Sequence, residues 1–144
     1  MPLDERRVEE TSAWIRKALS DLLAARVDLD AGTPLVEDAL FHCQQAAEKA
    51  LKGFLAWHDT PFRKVHDLTE LGRQCIGIDP SLELVCREAE PLTIFATVFR
   101  YPGDAGEPSA HEAENALMTA RRLCDAVTSR LPIEVAQRGM KGAG

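Results

Sequence analysis

Residues 36–58 repeat small and apolar side chains every three or four positions, the spacing of a helix with one buried face. Four other segments show the same spacing, and no stretch alternates between apolar and polar residues as a strand would. The pattern predicts an all-α fold, an up-and-down antiparallel bundle of four to five helices. We expect one such domain over residues 1–134, and a disordered tail over residues 135–144, where the periodicity is lost.

Capping and helix-breaking residues predict where these helices begin and end. Gly32 is placed to end the first helix in the left-handed conformation. Thr33 followed by Pro34 matches a cap and first position for the second helix. Asp67, with a glutamate three positions later, predicts the start of the third. Pro91 lies inside the fourth helical segment, so we expect a kink or break shortly before it.

Composition limits the classes of function and the compartment. The 144 residues carry a net charge of −6, so no global positive field attracts nucleic acid or acidic membranes. The N-terminal residues are charged and lack an apolar signal core, and no apolar run approaches membrane-spanning length. No two of the four cysteines form a C-x-x-C pair, which favours buried free thiols. We therefore expect a cytoplasmic protein with no membrane contact.

Polar side chains gather on one flank of the predicted second helix. One row steps by three, four and three residues: His42, Gln45, Lys49 and Lys52. Gln44 and Glu48 form a neighbouring row. Two interpretations are open at this point. The flank is either a solvated face with a Glu48–Lys52 ion pair, or a surface that binds a ligand or a partner.

Two further groups are candidates for a functional site. Arg100 ends the fourth helical segment, Tyr101 begins the turn, and His111 falls in the first turn of the fifth helix. An arginine facing a helix N-terminus is a plausible phosphate or carboxylate site, although Arg100 could equally cap its own helix. His66 precedes the cap residue Asp67, where it either orients the turn or takes part in chemistry. No metal or nucleophile motif is present, so no cofactor is predicted.

Four stretches, taken in order, resemble the HEPN family (higher eukaryotes and prokaryotes nucleotide-binding domain). They are WIRKALSDLLAA, DALFHCQQAAEKALKGFL, HDLTEL and FRYPGDAGEPSAHEAENAL. The resemblance implies a helical bundle that commonly forms a homodimer in a bacterial or archaeal cytoplasm. It also implies a gene often found beside a minimal nucleotidyltransferase, in modules of which several look like toxin–antitoxin pairs.

Many HEPN proteins are metal-independent ribonucleases that use an arginine, four to six intervening residues and a histidine. None of the four histidines here has an arginine at that spacing, and Arg100 and His111 are separated by ten residues. The leading interpretation is thus a non-catalytic module that homodimerises and partners a nucleotidyltransferase, with nucleotide or RNA as a candidate ligand. Its groove would comprise His42, Gln44, Gln45, Lys49, Lys52, His66, Arg100 and Tyr101. The alternative is a ribonuclease toxin in which Arg100 and His111 converge across a dimer interface.

Overall fold

A computed structural model describes residues 3–99, 102 and 106–141, and over this part of the chain it is helical with no strand. The helices are α1 (Glu5–Asp30), α2 (Val36–Trp57), α3 (Leu68–Ile78), α4 (Glu83–Ala89), α5 (Ala110–Thr128) and α6 (Ile133–Lys141). Short 3₁₀ segments flank α4 at Pro80–Leu82 and Glu90–Ala96. The all-α prediction is confirmed. No helix in the described ranges is both long and apolar enough to cross a bilayer.

Helix α2 forms the centre of the bundle. It packs against α1 over most of its length, and against α3, α5 and the second 3₁₀ segment on its other sides. Ala46, Ala47 and Ala50 are fully buried, and their small side chains let neighbouring helices approach closely. Gly53 continues this surface, because a Cβ added there would lie 3.1 Å from the Cδ1 atom of Ile15. One apolar core therefore surrounds α2.

The connection between α1 and α2 differs from the prediction. Gly32 does not take a positive φ, and α1 instead ends at Asp30 with extended backbone at Ala31. The N-cap of α2 is Leu35, without a side-chain cap, rather than Thr33. The physical reason is a backbone hydrogen bond of 2.9 Å from Leu35 N–H to the carbonyl of Asp28, which holds the connection against the end of α1.

Other predicted helix ends are present with changed partners. Asp67 caps α3 by accepting a hydrogen bond from the Thr69 N–H at 2.9 Å. Glu70 does not complete a capping box, because its carboxylate pairs with Arg63 at 2.7 Å. The predicted break before Pro91 is confirmed, since the α-helix ends at Ala89 and continues as a 3₁₀ segment.

The cysteines lie in the core, as predicted. Cys43, Cys75, Cys86 and Cys124 are free and buried. Burial raises the pKa of the Cys43 thiol to about 12 and that of the Cys86 thiol to about 11. These thiols are therefore protonated at neutral pH and behave as small apolar side chains.

The predicted disordered tail is wrong for residues 135–141, which belong to α6. Val135 is fully buried, and its carbonyl accepts a hydrogen bond of 3.3 Å from the Ser12 hydroxyl of α1. Close packing depends on Gly139, because a Cβ there would lie 2.7 Å from the Cγ2 atom of Ile15. Residues 142–144 lie outside the described part of the chain.

The same substitution should have opposite effects at two helical glycines. In Gly139→Ala, the new methyl group would collide with the buried Ile15 side chain, and overpacking of this kind costs about 1–3 kcal/mol. In Gly77→Ala, nothing lies within 4 Å of the added Cβ, so the higher helix propensity of alanine should stabilise the protein by up to about 1 kcal/mol. Denaturant unfolding checks both changes, and stabilisation by Gly139→Ala would contradict the close packing of α6.

Candidate functional site

Glu48 of α2 is the acceptor for four polar side chains. Lys52 Nζ donates to Oε2 at 2.9 Å. On the other oxygen, Oε1, the donors are His66 Nδ1 at 2.8 Å, Gln44 Nε2 at 3.1 Å and Gln45 Nε2 at 3.5 Å. Gln44 also donates to the backbone carbonyl of His66 at 3.1 Å. We call these five residues the Glu48 network; it joins the middle of α2 to the loop before α3.

The charge on Glu48 is maintained in spite of its burial. Burial alone would raise the pKa of this carboxyl group, but hydrogen bonds from Lys52, Gln44 and His66 outweigh it and the pKa is lowered from its ordinary value. The carboxylate is thus ionised at neutral pH and compensates the buried ammonium group of Lys52. A buried ion pair is tolerated only when its remaining hydrogen-bonding capacity is also satisfied, and Gln44, Gln45 and His66 satisfy that of the Glu48 carboxylate.

A second carboxylate organises the rest of the polar row. Asp21 of α1 accepts from Lys49 Nζ at 2.7 Å, and its other oxygen lies 2.8 Å from His42 Nδ1. Its side chain is only 11% exposed. The sequence interpretation missed Asp21, although its signal was present as an acidic residue next to Leu22 in the apolar stripe of α1.

Two aromatic rings cover the end of the Glu48 network. Lys52 Nζ lies 5.8 Å from the ring centroid of Trp14 and 5.7 Å from that of Phe62. These two rings meet edge to face at 6.0 Å. Cation–π contacts of this kind stabilise an ammonium group, and more strongly when the group is shielded from water. Lys52 is therefore held by a carboxylate on one side and by aromatic rings on the other.

With this geometry established, comparison with protein-family models matches residues 11–131 to the HEPN domain. The chain belongs to the HEPN family. No curated protein and no solved structure matches it. The matched range contains both carboxylate centres but stops before α6. Family membership supports a nucleotide- or RNA-related module.

The structure divides the predicted HEPN groove residues into buried and surface groups. Gln44 is fully buried and the Lys52 side chain only 9% exposed, so the predicted Glu48–Lys52 pair is present but is not solvated. The side chains of His66, His42 and Lys49 are 64%, 32% and 23% exposed. Together with the partly buried Gln45, these three side chains form a surface that we call the α2 surface. It comprises His42, Gln45 and Lys49 of α2 and His66 of the loop before α3.

The other predicted residues, Arg100, Tyr101 and His111, are not part of the α2 surface in the described part of the chain. Arg100 and Tyr101 lie outside the described residues, so a common cleft of Arg100 with Gln45 and Lys49 stays a prediction. His111 is exposed on α5, where its Nε2 atom lies 3.3 Å from Asn115 Nδ2. Within the described ranges, no group of histidine, cysteine, aspartate and glutamate could hold a metal ion.

Removing the charge of Glu48 should be costly, and a second substitution should relieve part of the cost. Glu48→Gln leaves the Lys52 ammonium group buried without its carboxylate, which typically costs about 3–5 kcal/mol. Adding Lys52→Met to Glu48→Gln removes the uncompensated charge, so the double variant should be more stable than Glu48→Gln alone. Urea unfolding of the two single variants and the double variant measures the coupling.

The pH dependence supplies an independent check. Because the folded-state pKa of Glu48 is lowered, its contribution to stability is present above the ordinary carboxyl value of 4.5. That contribution is lost as the pH falls through the folded-state value. The gap in stability between the wild type and Glu48→Gln should therefore narrow below pH 4.5. The pairing would be contradicted if the two substitutions changed the free energy of unfolding additively. A difference in stability between the wild type and Glu48→Gln that does not change with pH would also contradict it.

Proposed function

We propose that this HEPN domain is a non-catalytic module that homodimerises, pairs with a minimal nucleotidyltransferase and binds a nucleotide or RNA phosphate on the α2 surface. A toxin–antitoxin-like two-component system is the setting that we propose for it. The observation that carries the binding proposal is the orientation of His66. Its Nδ1 atom is directed at the buried Glu48 carboxylate, while 64% of its side chain is exposed.

This orientation prepares the imidazole ring of His66 for a ligand. With Nδ1–H donating to Glu48, the other ring nitrogen, Nε2, is left for contacts outside the protein. Nε2 accepts a hydrogen bond in the neutral ring and donates one when the ring is protonated, and a phosphate oxygen can use the donated bond. Because the buried network orients the ring in advance, little conformational entropy is lost on binding.

The neighbouring donors suit a phosphate-bearing ligand in the same way. Lys49 supplies a positive charge that Asp21 holds in place. Gln45, whose Nε2 atom donates to Gln44 and Glu48, presents its amide oxygen as an acceptor for an N–H group of a nucleobase. Among the described residues, these groups lie on the same face of α2 as His42. The non-catalytic part of the proposal rests on the missing arginine–histidine spacing before all four histidines.

A paired comparison of two histidines tests the binding proposal. His66→Ala should weaken nucleotide or RNA binding about tenfold or more, since a hydrogen bond to a charged group contributes roughly 1.5–3 kcal/mol. His111→Ala, on α5 and also exposed to solvent, should leave the affinity unchanged. Calorimetry with ATP, GTP and a short RNA measures both variants. No heat with any of these ligands, and none with a nucleotidyltransferase encoded beside this protein, would contradict the proposal.

The ribonuclease alternative is favoured by one observation, the exposure of His111 with Asn115 as its neighbour. In that mechanism His111 would transfer a proton to or from the ribose hydroxyl or leaving group, and Arg100 would stabilise the phosphorane. The same two variants distinguish the functions. Cleavage of bulk RNA by the wild type that disappears in His111→Ala would establish the ribonuclease, whereas absence of cleavage in the wild type rejects it.

A further inference from the structure

The outward side of α1 carries apolar side chains where a solvated helix usually carries charges. Leu23 and Val27 lie one turn apart and are 53% and 60% exposed. The only charged residue between positions 18 and 25 is Asp21, which is buried and paired with Lys49. Over about two turns, α1 therefore presents no charge to the solvent.

Helix α5 extends this apolar patch beside α1. Arg26 of α1 donates to Glu114 of α5 at 3.0 Å, which holds the two helices side by side. They run in opposite directions, because the start of α1 contacts α6, which follows α5. Leu23 lies one turn before Arg26, and Met118, which is 49% exposed, lies one turn after Glu114, so the two come level with each other. We call Leu23, Val27 and Met118 the α1–α5 face.

The grouping of these side chains distinguishes them from other exposed apolar residues. Single exposed apolar side chains are normal on a protein surface, and Leu84 and Ile133 are examples in this chain. A contiguous apolar patch with charged residues around it is typical of a surface that another protein covers. The α1–α5 face is a patch of this second kind.

The charges around the α1–α5 face are complementary to those of a second copy of this chain. Arg16 precedes Leu23 by seven residues and Asp30 follows it by seven, so all three lie along one side of α1. Lys17 and Asp28 repeat this basic-to-acidic order on the neighbouring side. When a second copy is rotated by half a turn about an axis near Leu23, the two α1 helices are antiparallel. Arg16 of each copy then faces Asp30 of the other copy.

Both charged groups have capacity for this further contact. Arg16 forms no ion pair within the described ranges, and its acceptor there is the Arg138 carbonyl at 3.4 Å. Asp30 accepts from Arg26, but its side chain is 64% exposed and a carboxylate accepts about four hydrogen bonds. An unlike partner would need its own matching pattern of charges, whereas a second copy has it by symmetry.

We propose that two copies of this chain associate through the α1–α5 face, with their α1 helices antiparallel about a two-fold axis near Leu23. The inference rests on the homodimerisation in the proposed function and names the surface and the symmetry of that dimer. It does not depend on nucleotide binding. Asp21, which orients Lys49 and His42, lies nearly opposite Leu23 around α1, so the dimer leaves both α2 surfaces open.

The size of the face sets the expected strength of association. From Arg16 to Asp30, α1 is about 21 Å long, and α1 and α5 side by side are about 20 Å wide. With the uneven surface of the side chains, two copies would bury roughly 1,000 Å² in total, the lower end for specific interfaces. We therefore expect a dimer that dissociates at micromolar concentrations.

Sedimentation velocity of the full chain, from micromolar to millimolar concentration, tests the surface. Leu23→Lys combined with Val27→Lys should raise the dissociation constant of the dimer about tenfold or more, because like charges then meet at its centre. Both positions are exposed on a helix, so circular dichroism should show an unchanged fold. Leu84→Lys combined with Ile133→Lys makes the same change at more exposed positions elsewhere and should leave the dissociation constant unchanged.

Mixing two charge variants tests the symmetry. Arg16→Glu and Asp30→Lys should each weaken self-association about tenfold, because each places like charges opposite each other at both ends of the interface. An equimolar mixture should restore association. In the mixed dimer the new carboxylate faces the new ammonium group at one end, and the original Arg16–Asp30 pair remains at the other. Arg26 keeps Glu114 as a partner in Asp30→Lys, so the contact between α1 and α5 is retained.

Three results would overturn the proposal. A dimer unaffected by Leu23→Lys/Val27→Lys would have its interface elsewhere, and the homodimerisation in the proposed function would still stand. A chain that stays monomeric at millimolar concentration would contradict both. A mixture of Arg16→Glu and Asp30→Lys that associates no more strongly than its components would exclude the antiparallel two-fold arrangement.

Discussion

The burial of Glu48 with Lys52 on the central helix is the constraint on which the arrangement of the polar residues depends. A buried ion pair is stable only if its other hydrogen-bonding positions are filled, because water cannot fill them. Gln44 and His66 fill those of Glu48, and Gln44 also holds the His66 carbonyl. The loop before α3 is thus positioned by a charge in the core of α2. The bundle would keep its apolar core without this network, but the loop would lose its specific position.

The long helices could be predicted from the sequence because each of them has its own apolar stripe. The Glu48–Lys52 pair could also be predicted, because it depends only on the four-residue spacing of two opposite charges along one helix. Its burial could not, because residues from other parts of the chain cover it: His66, 18 positions from Glu48, and the rings of Trp14 and Phe62 beside Lys52. Periodicity identifies a face but not what packs against it.

Helix α6 was missed for a different physical reason. It has only nine residues, which is short for a periodic pattern. One of its buried positions is Gly139, and a glycine adds no apolar side chain to the pattern. The glycine is nonetheless a packing residue, since it allows α6 to contact Ile15. The family match ends at residue 131, so α6 is a feature of this chain outside the matched range.

Paired and unpaired carboxylates separate two kinds of surface in this protein. Asp21 and Glu48 are buried, and each holds a lysine and a histidine in place. Glu10 and Asp59 have no partner among the described residues and line an open cavity. Internal pairing fixes the positions of the lysine and histidine side chains, whereas Glu10 and Asp59 are exposed to solvent.

The central claim is that buried carboxylates orient the imidazole rings so that one nitrogen of each faces outward. Long-range ¹H–¹⁵N correlation spectra of the histidine side chains test it directly at a pH where the rings are neutral. The account predicts that His66 and His42 carry their proton on Nδ1, directed at Glu48 and Asp21, and leave Nε2 unprotonated. A proton on Nε2, or rapid averaging between the two tautomers, would contradict it.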